Sequence, residues 1–300
     1  FNIGHWSFGA TFHKKQFTLD YLVATYEKPL VSIMNGIVMG GGAGISMQGT
    51  FRIVTETTTF AMPEVKIGLC PDVGASYFLS RLPGFLGEYL ALTSARMDGA
   101  DILACGLATH FVLSKDLPAL EISLCEVTTS DKNVISHIID RFLYKPQLKK
   151  ESPLKRMEII NKCFSRDTVE EILSSLEAVE KDGDNLIIDS IKSMKSASPT
   201  SLKVSLKSMR EGRRQSLEQC LLREYYICCH LARMTVTKDF LEGSRALVLD
   251  KRRPKWEPSQ LELVTESMVN QHFLKIEDDN FDNLELPPRT NRINKAKAKL

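Results

Sequence analysis

Glu64 and Asp72 are the two residues whose setting most suggests chemistry. They stand eight positions apart on either side of the apolar turn Gly68-Leu69-Cys70-Pro71. Pro63 offers no backbone donor and fixes the turn before Glu64, so that carboxylate leaves a stiff base. A shared pocket can drive the pKa values of two such acids apart, which suits acid–base or nucleophilic work. Upstream lies the run Gly40-Gly41-Gly42. Glycines between a strand and a helix let the backbone adopt φ > 0 and approach a ligand closely. The first N–H groups of the helix have no internal acceptor, and the positive end of the helix dipole lies behind them. Such a turn can stabilise a developing oxyanion. Each feature alone has a plainer reading. The glycines could make a tight packing turn, Glu64 could be a solvated surface acid, and Asp72 could be the N-cap of the helix that follows. Their order along one short stretch favours a site.

The elements needed to position these groups are legible in the pattern. Val31 to Met34 reads as a buried strand entering the glycine turn, and Gly42 to Gln48 as a helix start. Phe51 to Thr55 and Thr59 to Met62 read as strands. After Pro71-Asp72 the spacing becomes helical, with Val73, Tyr77, Phe78 and Leu82 on one side. Strand, glycine turn and helix at short intervals indicate an α/β fold. From about residue 150 the pattern is mainly helical. Val169, Ile172, Leu173 and Leu176 make one apolar stripe behind a Thr168/Glu171 capping box, and Leu217, Cys220, Leu221, Tyr225 and Cys228 make another. Both stripes read as packing surfaces. The expected division is a core over 1–150, a helical region over 151–275 and a polar tail over 276–300.

Composition narrows the function classes. Three hundred residues suffice for a large core, and a net charge of +2 gives no global field for nucleic acid or an anionic membrane. No apolar run reaches the roughly 18–20 residues that a membrane span requires. The seven cysteines are odd in number and form no CxxC pair, which suits buried thiols rather than a disulfide framework. Cys228-Cys229-His230 has no second cluster at metal-ligand spacing, so no metal is expected. His110, in Ala-Thr-His-Phe-Val, reads as a packed strand residue. Neither a G-x-S-x-G elbow nor a phosphate loop occurs. Lys251 to Arg253 is a weak candidate for phosphate binding.

The succession Asn35-Gly36-Ile37-Val38-Met39-Gly40-Gly41-Gly42-Ala43-Gly44, Phe60-Ala61-Met62-Pro63-Glu64, Gly68-Leu69-Cys70-Pro71-Asp72-Val73-Gly74 and Gly106-Leu107-Ala108-Thr109-His110-Phe111-Val112 resembles the crotonase (enoyl-CoA hydratase/isomerase) superfamily. Within it the chain is most similar to the 3-hydroxyisobutyryl-CoA hydrolases. The likeness continues through Ser198-Pro199-Thr200-Ser201-Leu202-Lys203, Asp239-Phe240-Leu241-Glu242-Gly243 and Pro254-Lys255-Trp256, nearly the whole chain.

The resemblance implies a crotonase-like spiral of ββα units followed by a mainly helical C-terminal region. It also implies an acyl-CoA thioester as substrate, with Gly41 as oxyanion donor, and no cofactor beyond the CoA of the substrate. Hydratases carry two glutamates, one at the position of Glu64 and one where this chain has Gly44. They usually have Gly where this chain has Asp72, so the resemblance points to thioester cleavage rather than hydration. Hydrolase relatives usually place a substrate-site Glu where Gln16 stands here. The superfamily's opening strands and second oxyanion loop would precede Phe1, and with no initiator Met the expectation is a truncated N-terminal part. The terminal Ala298-Lys299-Leu300 is near Ser-Lys-Leu and implies a peroxisomal import receptor, with the mitochondrion as the alternative location. A homo-oligomer stays open, and neither nucleic acid nor membrane is an expected partner. Two rival readings remain: a non-catalytic paralogue that binds CoA esters or partner proteins, and a hydratase or isomerase.

Overall fold

The computed structural model describes residues 5–180, 184–278, 281 and 283–288. Six short strands fall early in the chain: β1 Val31–Met34, β2 Ile37–Met39, β3 Phe51–Val54, β4 Thr59–Ala61, β5 Met97–Asp98 and β6 His110–Phe111. They form two three-stranded sheets. One has the order β1-β3-β6, all parallel, with Val31 opposite Phe51 and Ile53 opposite His110. The other has the order β2-β4-β5, with β2 and β4 parallel and β5 antiparallel. Each parallel pair needs a crossover, so the chain alternates between the sheets and builds the ββα spiral.

Local chemistry sets where these strands stop. Beyond β3, the Thr55 N–H donates to the Thr58 hydroxyl, which in turn donates to the Met34 carbonyl. This turn returns the chain to the second sheet. β4 ends before Pro63, which could not donate to a ladder. The helix expected after Asp72 is a single turn, Ala75–Phe78, continued by a tighter 3-10 turn over Leu79–Arg81. The expected capping box at Thr168 and Glu171 heads the helix Val169–Val179.

One long element has no counterpart in the sequence reading. Helix α1, Ser7–Ala24, buries Ala10, His13, Phe17, Asp20 and Tyr21 along one face. That face packs on the helix Leu217–Arg233, where Phe17 meets Tyr225 edge to face at 6.3 Å between ring centroids. The stripe escapes an apolar search because His13 and Asp20 interrupt it, and Trp6 at the N-cap position makes no side-chain cap bond. Helix α2, Gly41–Met47, follows the glycine turn.

A continuous core joins the strand region to the C-terminal helices: Met34, Phe60, Met62 and Val65 share it with Phe164, Leu202 and Tyr225. A smaller cluster around Ile53, Val112 and Ile139 covers the other side of β3. Among the described residues no helix is long and apolar enough to cross a membrane.

Candidate active site

The glycine turn, Glu64 and Gln16 meet in one place. Gly40 has φ 52°, ψ −130°, a backbone state that glycine adopts without strain. A Cβ built at Gly40 would lie 3.6 Å from Glu64 Oε1, and one built at Gly41 would lie 3.5 Å from Gln16 Oε1. Gly41 opens α2, so its N–H belongs to the first turn, which has no intrahelical acceptor.

Glu64 opens a short 3-10 turn, Glu64–Ile67, directly after Pro63. Gly68 closes the turn at φ 75°, and the Leu69 N–H returns to the Glu64 carbonyl at 3.0 Å. The loop that carries both acids is fastened from outside. The Ser198 N–H donates to the Val65 carbonyl at 3.1 Å, the Ser198 hydroxyl donates to Asp239 Oδ2 at 2.6 Å, and the Cys70 thiol donates to the Ser201 carbonyl at 3.7 Å. The Ser-Pro-Thr-Ser and Asp-Phe-Leu-Glu-Gly stretches of the resemblance therefore act structurally here, as a clamp on the acid loop.

Glu64 is 4 % exposed, and its Oε2 has no hydrogen-bond partner among the described residues. Burial, then the charge of Asp72, pushes its carboxyl well above the ordinary glutamate range. Asp72 is 6 % exposed and is pushed up to about 7 by burial and then by Glu224, while the Cys228 thiol donating to Oδ2 at 3.6 Å opposes the shift. The charge of Asp72 acts on Glu64, so the apparent pKa values belong to the pair.

Asp72 is not the cap of the helix that follows. Glu224, from the helix Leu217–Arg233, takes that role: the Gly74 and Ser76 N–H groups donate to its two oxygens at 2.7 and 2.8 Å. Ser76 Oγ also donates to Glu224 at 2.5 Å and accepts from Arg223 at 2.7 Å. With its backbone duty taken over, the Asp72 carboxylate faces His13 instead, 3.7 Å from Nδ1.

Sequence reasoning missed several members of this pocket. Asp20, fully buried on α1, accepts from Gln16 Nε2 at 3.2 and 3.4 Å. Burial pushes its carboxyl up to about 8, with Asp72 and Glu224 adding to the shift and Gln16 opposing it. His13, its neighbour on α1, is held down to about 4 by burial and is neutral. Glu224 carried a readable signal, because it is an acid inside the apolar stripe from Leu217 to Cys228.

Gly44 shows why a second glutamate does not fit. A Cβ there would lie 2.5 Å from Val73 Cβ, closer than real atoms approach. Val73 itself has φ 54°, a left-handed state that costs a β-branched residue roughly 1–3 kcal/mol. The residue after Asp72 thus occupies the space a side chain at 44 would need.

Other sequence candidates lie elsewhere. His110 sits on β6, bonded to Thr109 Oγ1 at 2.7 Å and 3.6 Å from Asp140. His230 turns away from Cys228 toward Thr235 and the Leu274 carbonyl. Arg252, in the basic cluster, is paired with Glu242 and Asp250. Ala298, Lys299 and Leu300 lie outside the described residues.

Comparison with known proteins shows the family. A family model described as enoyl-CoA hydratase/isomerase matches residues 2–273. The chain is 54% identical over 292 residues to 3-hydroxyisobutyryl-CoA hydrolase 1 of Arabidopsis thaliana, covering 97% of this chain and 77% of that protein. It is also 43% identical to small ribosomal subunit protein mS47 of the same plant, covering 95% of this chain and 71% of that one. Among solved structures, a carnitinyl-CoA dehydratase from Mycobacterium thermoresistibile superposes with a TM-score of 0.81 at 35% identity, covering 92% of this chain and 75% of that one.

Proposed function

We propose, from the premise that this chain belongs to the enoyl-CoA hydratase/isomerase family, that it hydrolyses 3-hydroxyisobutyryl-CoA or a similar short hydroxyacyl-CoA thioester. The observation that carries the reading is a buried glutamate, with one carboxylate oxygen unpartnered, pressed against a glycine turn and electrostatically coupled to a second buried acid. The names of relatives more than half identical to this chain support the same substrate class.

The thioester carbonyl oxygen lies against the Gly41 N–H, which draws charge onto it as the carbon becomes tetrahedral. An oxygen of ionised Glu64 attacks that carbon. The C–S bond breaks, CoA leaves as the thiol after gaining a proton, and a mixed anhydride joins the acyl group to Glu64. Water then attacks the anhydride at its Glu64 carbonyl. The free acid leaves with an oxygen that began on the enzyme, and Glu64 regains its carboxylate with an oxygen from water. Asp72, titrating near neutrality, orients the acyl hydroxyl or the attacking water as donor or acceptor. The reaction draws on side chains, backbone and water, with no added cofactor.

Hydration of a double bond is disfavoured by Gly44, whose surroundings leave no room for a second glutamate. A place in valine breakdown follows from the proposed substrate, and Ala298-Lys299-Leu300 supports delivery to the peroxisome by its import receptor. The second reading is a CoA-ester-binding or assembly paralogue. The neutral Gln16 and the likeness to a ribosomal protein favour it. Release of CoA thiol from 3-hydroxyisobutyryl-CoA, with no absorbance change on crotonyl-CoA, is the expected result. Saturable binding of the ester without turnover would replace the first reading with the second.

A further inference from the structure

His13, Asp72 and Cys228 come from three separate parts of the chain, and each turns one metal-binding atom toward the others. His13 Nδ1 lies 3.7 Å and Cys228 Sγ 3.6 Å from Asp72 Oδ2, and the three donors all fall within 4.8 Å of one another. All three residues are buried. Among the described residues neither ring nitrogen of His13 has a hydrogen-bond partner. The other two buried histidines differ, since His230 Nε2 meets the Leu274 carbonyl and His272 Nδ1 meets the Met268 carbonyl, each at 2.9 Å. A buried imidazole with both nitrogens unsatisfied is costly as packing, and a bound cation would relieve that cost.

We propose that His13, Asp72 and Cys228 form a binding site for a thiophilic divalent cation of the zinc type, and that the ion blocks thioester cleavage by occupying Asp72. The consequence for cleavage rests on the hydrolase reading; the binding does not. Zinc bonds of roughly 2.0–2.3 Å at tetrahedral angles set donors about 3.3–3.6 Å apart, which the two distances to Asp72 nearly match, while the three donors as a set, within 4.8 Å of one another, must draw closer. One imidazole, one carboxylate and one thiolate are ligands that zinc accepts, and a water completes the fourth position. Calcium and magnesium prefer all-oxygen shells and are poorly matched. Asp20, Glu64 and Glu224 all lie close enough to interact with Asp72, so the ion would sit among further carboxyl groups. On binding, Cys228 gives up its thiol proton to solvent and both electrons of the S–H bond stay on sulfur for the metal.

Cobalt(II) titration of the full chain tests the ligand set directly, because a cobalt–thiolate bond produces a charge-transfer band in the near ultraviolet. One equivalent should raise the band, zinc should displace it, and Cys228→Ser should abolish it. His13→Leu should weaken cobalt binding by at least about 10-fold while leaving a folded chain by circular dichroism. That variant also keeps the test decisive if Cys228→Ser does not fold. The wild-type chain showing no band, or a band that survives Cys228→Ser and vanishes with a change at the exposed Cys125, would overturn the proposal. The band reports ligation whether or not the chain turns over a thioester, so failure of the hydrolase reading leaves the binding test standing. In an active preparation, zinc should suppress CoA release and a chelator should restore it. Full activity with the site loaded would overturn the blocking role.

Discussion

Two groups of buried acids lie within the same core and are treated in opposite ways. Glu224 is wrapped: two backbone N–H groups and the Ser76 hydroxyl donate to it, and Arg223 bonds that hydroxyl in turn. Asp239 is likewise held by Ser198 and by the Glu257 N–H. Among the described residues, Glu64, on the acid loop, keeps a buried oxygen with no partner, and Asp72 Oδ2 meets a thiol and a distant imidazole. Satisfied acids hold the scaffold. The acids left short of donors are the ones we propose a substrate completes, and desolvation holds both carboxyls above their ordinary range. Burial alone therefore does not separate structure from chemistry; the partner inventory does.

Breaking each side of this contrast should give different losses. Glu64→Gln should lower the rate of CoA release by about 10²–10⁴-fold with an unchanged unfolding curve, measured by thiol trapping and by denaturant titration. Glu224→Ala should do the reverse in character. It strips the acceptor from the Gly74 and Ser76 N–H groups and from the Ser76 hydroxyl, leaves buried Arg223 without that nearby carboxylate, and should cost roughly 3–5 kcal/mol of stability. Equal stability losses in the two variants would erase the distinction.

Gly44→Ala sharpens it. The new methyl meets Val73 at 2.5 Å, so the variant should lose about 1–3 kcal/mol. Val73→Gly should recover most of that in the double variant, and additive losses in a double-mutant cycle would contradict the steric account.

The smallest effect is pH-linked. Asp20, pushed up to about 8, binds its proton more tightly folded than unfolded. Its protonated form favours the native state below the ordinary aspartate pKa, and that contribution is lost as pH rises through about 8. Asp20→Asn should therefore narrow the fall in melting temperature between acid and mildly alkaline buffer. A slope identical to wild type would show that Asp20 does not titrate in this way.

Much of the candidate site could be read in the sequence because it is local. The glycine turn, Glu64 and Asp72 lie within a short stretch whose strands and turns are set by β-branched residues, Pro63 and Gly68. What could not be read depends on distant pairing. Helix α1 hides because His13 and Asp20 interrupt its apolar stripe. The cap on the turn after Asp72 comes from Glu224, far along the chain, and no local rule finds it. Cys228 reads as one residue of a packing stripe, and only the fold brings its sulfur to Asp72.

The central claim is that Glu64 itself bonds to the acyl carbon. A single turnover in water labelled with heavy oxygen, followed by mass analysis of the peptide that contains Glu64, tests it most directly. The account predicts label on Glu64 and a product carrying unlabelled oxygen from the enzyme. Label in the released acid with none on Glu64 would contradict it.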